Sequence, residues 1–200
     1  SQFGKELDSL ADFLTFGIAP AMLINIASFE SDVVLFIIGE RGRMMLSAAY
    51  VIFAALRLAR YNVHAGKATG GTQYFSGLPS PAAAGMAAAI VLMDYRLVDT
   101  GSLAADVFRQ FSPVAAFLLG LLMVSKIRFL HFGNKFLKSG PSVRKLALFA
   151  SAVLLLVVFP VYVLFSVFLA YIIVACVTHL RHKATGDDIE DEDTAEGSEA

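Results

Sequence analysis

The chain has 200 residues, 57% of them apolar and only 16% charged, with a formal net charge of −1 and a mean hydropathy of +0.68. A soluble domain is about one quarter charged, so this chain lacks the polar surface to coat a water-soluble globule. It has instead the apolar length for several bilayer spans of about 20 residues each. Its single cysteine, Cys176, excludes an internal disulfide and a cysteine metal cluster.

The chain opens at Ser1 with no initiator methionine and no basic-then-apolar leader, and charges follow at once at Lys5, Glu6, Asp8 and Asp12. It reads as starting inside a longer protein. Long apolar stretches predict about six helices. The first covers residues 3–27 and the second 44–62, with a short apolar run at 33–38 ahead of it. The third covers 81–95 and the fourth 111–125. Residues 146–180 would exceed about 50 Å as one helix, and Pro160 divides them into two helices turning near Phe159. The expected fold class is an all-α, polytopic transmembrane helix bundle over residues 1–183. The acidic segment 184–200, with no aromatic residue, reads as a disordered cytoplasmic tail.

Charge placement sets the expected orientation. Residues 126–145 carry Lys126, Arg128, Lys135, Lys138, Arg144 and Lys145 and no acid, which makes them cytoplasmic by the positive-inside rule. Alternation then puts the 63–80 loop, with Lys67, and both chain ends on the same side. The 28–43 and 96–110 loops, with Glu30, Asp32, Glu40, Asp99 and Asp106, fall outside. On this reading the rare charges of the spans gather on one face of the bilayer.

The first helix opens with Gly4-x-x-x-Asp8-x-x-x-Asp12. Four-residue spacing puts all three on one helical face, with Asp12 one turn, about 6 Å, deeper than Asp8. An ionised Asp costs roughly 2.5–3.5 kcal/mol at the centre of a span, so stacked carboxylates need a compensating cation. Either they pair with basic side chains as a cap and a structural ion pair, or they hold a metal. Oxygen-only ligands favour a hard ion such as Mg²⁺ or Mn²⁺. The second helix ends with Arg57, Arg60 and Asn62, at the level where the first begins. The arginines either snorkel to the interface or grip a carboxylate or phosphate in bidentate fashion. In Gly77-Leu78-Pro79-Ser80-Pro81, Ser80 reads as an N-cap and Pro81 as the first helical residue. That helix start is a plausible anion site, though a purely structural one looks the same. The small-residue run that follows suits close helix packing in lipid. The four histidines sit at no metal spacing and read as interfacial.

FGKELDSLADFLTFGIAPA resembles the second half of the signature of the CDP-alcohol phosphatidyltransferases, D-x2-D-G-x2-A-R followed by G-x3-D-x3-D, with Gly4, Asp8 and Asp12 matching. ALRLARYNV, YFSGLPSPAAAG and LMVSKIRF resemble the phosphatidylserine synthase branch, so the likeness spans residues 3–129. It implies two divalent ions, with Asp8 a metal ligand and Asp12 both a ligand and the catalytic base. It implies transfer of a phosphatidyl group from CDP-diacylglycerol to L-serine, with Arg57 and Arg60 meeting the serine carboxylate or a phosphate. Gly4, Asn62, Gly77 and Ser80 are expected around the substrate. Within the same chemistry the acceptor could instead be glycerol 3-phosphate or inositol, and the lipid an archaeal ether lipid. The resemblance also implies a homodimer in a bacterial or archaeal cell membrane, and no nucleic-acid partner. The first half of the signature would lie ahead of Ser1, so further helices are expected upstream and the segment alone is expected to be an incomplete catalyst. A secondary transporter is the remote alternative, disfavoured because the charges read as gathered at one face and neither half mirrors the other.

Overall fold

The computed structural model describes residues 2–28, 39–65, 77–98, 103–125, 127 and 143–185, with backbone only at 64–65, 103–104, 143–149 and 182–185. The 33–38 run, Lys67, His131, most of the basic 126–145 segment and the tail beyond Thr185 lie outside the described residues.

In hydrocarbon each backbone polar group must be satisfied within the protein, which a helix does by itself. Among the described residues every regular element is helical: α1 Gln2–Phe13, a π-helical turn Leu14–Ile18, α2 Ala19–Ala27, α3 Gly39–Ala65, α4 Ser80–Val98, α5 Leu103–Val124, α6 Val143–Val158 and α7 Pro160–Thr185. Among the described residues five stretches are long and apolar enough to cross a bilayer: Gln2–Ala27, Gly39–Val63, Ser80–Val98, Ala105–Val124 and Pro160–Arg181. The chain is an all-α, polytopic integral membrane protein. About six spans were expected; α6, with 16 residues, reaches only about 24 Å against a hydrocarbon core of about 30 Å.

The small-residue run puts α4 at the centre. Ala83, Ala84, Ala87 and Ala89 are buried, and α4 packs on α2, α5 and α7. At Gly85 an added Cβ would run into the ring of Phe168, so that ring seats α7 in a notch of α4. α3 and α5 share an extensive interface, with Phe53 and Phe117 edge to face at 5.8 Å. The turn at Pro160 is as expected: α6 stops at Val158 and α7 restarts at Pro160.

Two features differ from the expectations. The first helix is not uniform. Pro20 has no amide to give the Phe16 carbonyl and its ring crowds that group, and the chain widens just upstream, where the Ala19 N–H donates to the Leu14 carbonyl. The freed Phe16 carbonyl accepts a bond from the buried Tyr50 hydroxyl at 3.0 Å. Pro113 does the same inside α5, and the Ser112 hydroxyl donates to the Arg109 carbonyl at 2.8 Å.

The second difference is that α3 and α5 begin earlier than hydropathy predicts, because charges depress the apolar signal at their starts. Those charges are folded in. Arg109 Nε donates to the two Asp94 carboxylate oxygens at 3.2 and 3.1 Å, and both residues are buried, as is Arg43. Asp94 lies roughly 21 Å along α4 from Ser80, at the opposite end of the bundle. The expectation that the charges of the spans gather on one face is therefore corrected: a buried ion pair occupies the other end.

Candidate active site

Gly4, Asp8 and Asp12 follow one face of α1, and all three are exposed. Where α1 passes into the π turn, a cavity of ≈280 Å³ opens between it, α3 and the start of α4. That volume lies near the lower end for small-molecule pockets. One wall is polar, made by Asp12, Arg57, Tyr61 and Ser80; the other is apolar, made by Phe13, Phe16, Ala54, Leu58 and Pro81. Gly17 lets the helices come together here. A Cβ on it would stand 3.1 Å from the Phe13 ring and 3.2 Å from Ala54.

Arg57 Nη1 donates to the Ser80 hydroxyl at 2.6 Å, tying α3 to the first turn of α4. The Ala83 N–H already donates to the Pro79 carbonyl at 3.0 Å, so helical bonding begins one residue ahead of the expected cap. The Ser80 hydroxyl is engaged by an arginine of another helix. Among the described residues Arg57 has no carboxylate partner, and its Nε–H is buried without a hydrogen-bond acceptor. Asp12 and Arg57 thus share a cavity without neutralising each other. Asn62 Nδ2 donates to the Ser9 hydroxyl at 3.2 Å, which brings the end of α3 to the start of α1.

Of the predicted residues, Asp12, Arg57 and Ser80 line the cavity. Gly4, Asp8, Arg60, Asn62 and Gly77 do not; Arg60 is exposed on the same last turns of α3. Gly77 has a backbone task. Its φ is +93°, its N–H donates to the Ile127 carbonyl at 2.8 Å, and a Cβ on it would collide with the Met123 carbonyl. It locks the approach to α4 onto the end of α5. Sequence reasoning missed Tyr61, Phe13 and Phe16. Tyr61 stands one turn after Arg57 on the same face, and Phe13 and Phe16 lie within a turn of Asp12, so helical spacing was the available signal.

The donor chemistry suits a hard divalent ion, since Asp8 and Asp12 offer carboxylate oxygens one turn apart. Their number is short of a closed site: among the described residues no cluster of three or more His, Cys, Asp or Glu occurs, whereas Mg²⁺ takes six oxygens, several of them from water and substrate.

The family model described as CDP-alcohol phosphatidyltransferase matches residues 1–122. The chain is similar to the CDP-diacylglycerol–serine O-phosphatidyltransferase of Helicobacter pylori, 40% identical over 132 residues, covering 66% of this chain and 50% of that protein. It is similar to the protein of the same name from Methanocaldococcus jannaschii, 32% identical over 136 residues, covering 68% and 53%. With the archaetidylserine synthase of Methanothermobacter thermautotrophicus it shares 40% identity over 82 residues, covering 41% and 30%. The chain spans about half the length of the first two.

Proposed function

The chain belongs to the CDP-alcohol phosphatidyltransferase family, and we propose that it carries part of the site that transfers a phosphatidyl group from CDP-diacylglycerol to L-serine. The observation that carries this reading is the cavity in which, among the described residues, an unpaired Asp12 carboxylate and an arginine without a carboxylate partner face an apolar wall. A lipid-linked diphosphate needs that combination: tails against apolar helix faces, and a charged headgroup at the bundle end. The names of the relatives support serine as the acceptor.

In the proposed reaction the serine hydroxyl oxygen attacks the phosphorus that bears diacylglycerol. The new P–O bond forms as the bond to CMP breaks, giving phosphatidylserine and CMP. Asp12 takes the hydroxyl proton. Asp8 and Asp12 are the residues that would hold Mg²⁺ or Mn²⁺, which when bound neutralises the diphosphate and its leaving group; two ions are proposed on the family resemblance. Arg57 grips the serine carboxylate as a charge-assisted donor, while Arg60, exposed on the last turns of α3, serves substrate phosphate. Gly4 and Asn62 are assigned to the substrate's approach on the family resemblance, and Ser80 holds Arg57.

The basic 126–145 segment supports a cytoplasmic site, with residues 184–200 as a tail on that side. The homodimer and the bacterial or archaeal cell membrane are proposed on resemblance alone.

The test is CMP release by the natural protein in membranes, with Mn²⁺ or Mg²⁺ and a panel of L-serine, glycerol 3-phosphate and inositol. Release with serine alone is expected. Release with glycerol 3-phosphate but not serine would move the protein to another acceptor; release with none would end the reading.

A further inference from the structure

By simple helical counting, the carboxylate face of α1 is out of line with the buried face of α2. Ala21, Ile24 and Ser28 are buried at steps of three and four residues, and Gly17 continues them upstream. The other side of α2, with Ala19, Met22, Leu23 and Ile26, is exposed. Were residues 2–28 one α-helix, 3.6-residue periodicity would put Asp12 in line with Ala19 and Leu23, and Asp8 with Met22 and Ile26. Both carboxylates would then point away from the bundle.

The π turn Leu14–Ile18 removes this mismatch. Its wider bonding, in which the Ala19 N–H donates to the Leu14 carbonyl, absorbs one extra residue. One residue turns everything upstream by about 100°. Gly17 then follows Asp12 by a single turn, and the line Ser28, Ile24, Ala21, Gly17 runs on into Asp12, Asp8 and Gly4. Two observations agree with that register. Asp12 lines the cavity beside Gly17, and Asn62 of α3 reaches Ser9, next to Asp8, at 3.2 Å.

The turn is held from two sides. Pro20 has no N–H for the Phe16 carbonyl, so α-helical bonding does not close there, and the Tyr50 hydroxyl satisfies that carbonyl from α3 at 3.0 Å. One turn along α3, Ala54 would stand 3.2 Å from a Cβ on Gly17, so turn and helix pack closely. α2 is anchored by its buried residues, whereas no residue of α1 is buried. A change in the turn therefore rotates α1.

We propose that the π turn is a register device for the active site, with Pro20 and Tyr50 as positioning residues: the one residue it adds turns Asp8 and Asp12 from the outer face of the bundle to the cavity. The roles of the two carboxylates rest on the proposed function; the register does not.

The experiment compares the natural protein in membranes with Pro20→Ala and with Pro20→Ala from which Thr15 is also deleted. Thr15 is exposed within the turn and does not line the cavity. Pro20→Ala restores the amide, the turn closes as α-helix, and α1 swings the carboxylates outward. CMP release should fall about 10²-fold or more, and the metal concentration for half-maximal release should rise, with no fall in melting temperature. Deleting Thr15 removes the extra residue, returns Asp12 to the cavity and should recover most of the lost rate. Register is also read without catalysis, from Asp12→Cys with all native cysteines replaced, labelled by a charged, water-soluble thiol reagent. Labelling should slow about tenfold or more in Pro20→Ala, because a thiol turned to hydrocarbon stays protonated, and should recover when Thr15 is deleted. Unchanged release or unchanged labelling in Pro20→Ala, a loss explained by a lower melting temperature, or a deletion that deepens the loss would overturn the proposal. If no acceptor supports CMP release, the functional reading fails, and labelling alone decides the register.

Discussion

The Tyr50 hydroxyl donates to the Phe16 carbonyl at 3.0 Å, the carbonyl that Pro20 leaves without an amide four residues on. The bond pins α3 to the π turn that follows Asp12, so the floor of a charged site is tied down by a hydroxyl from a neighbouring span. Tyr50→Phe should lower stability by about 1–2 kcal/mol, the cost of stranding a buried carbonyl. In Pro20→Ala the restored amide takes that carbonyl, so adding Tyr50→Phe to it should cost little. Melting of the two single variants and the double variant in detergent checks this; full additivity would refute it.

Asp8 and Asp12 should separate in a metal titration. Asp12→Asn should lower kcat by about 10²–10⁴-fold even at saturating metal, the usual range for a lost general base. Asp8→Asn should chiefly raise the Mn²⁺ or Mg²⁺ concentration needed for half-maximal CMP release. Unchanged turnover in Asp12→Asn removes the base assignment.

The Asp94–Arg109 pair lies too far from the cavity to touch substrate. Asp94→Asn should destabilise the fold by about 3–5 kcal/mol, because it leaves a buried guanidinium without its counter-charge. Asp94→Leu combined with Arg109→Met should be milder than either change alone. KM values should stay unchanged at temperatures where the variants remain folded, and thermal melting read alongside CMP release separates the two effects.

Gly77 and Gly39 make a matched pair, with φ of +93° and +70°. At Gly77 a Cβ would meet the Met123 backbone, whereas at Gly39 nothing among the described residues lies within 4 Å. Gly39→Ala should cost about 1–2 kcal/mol from backbone strain alone. Gly77→Ala should cost more and, by shifting Ser80, should also raise serine KM. Equal losses in melting temperature for the two variants would contradict this.

Hydropathy and spacing alone determined that this chain lives in a bilayer, that Pro160 breaks its last apolar stretch, and that Gly4, Asp8 and Asp12 share a helical face. These are properties of single helices, set by 3.6-residue periodicity and by the cost of exposing polar backbone to lipid. Tertiary structure decided whatever depends on two helices meeting. A sequence profile treats each charge as a cost, so Arg43 and Arg109 read as loop, until Asp94 from another helix neutralises Arg109 and α5 extends back to Leu103. The first helix reads as continuous over residues 3–27, and only the structure shows the π turn ahead of Pro20 and the Tyr50 hydroxyl that satisfies the freed carbonyl. Phe168 looks like one more aromatic in an apolar span, and only the packing of α7 on α4 shows its ring seated where Gly85 leaves a notch.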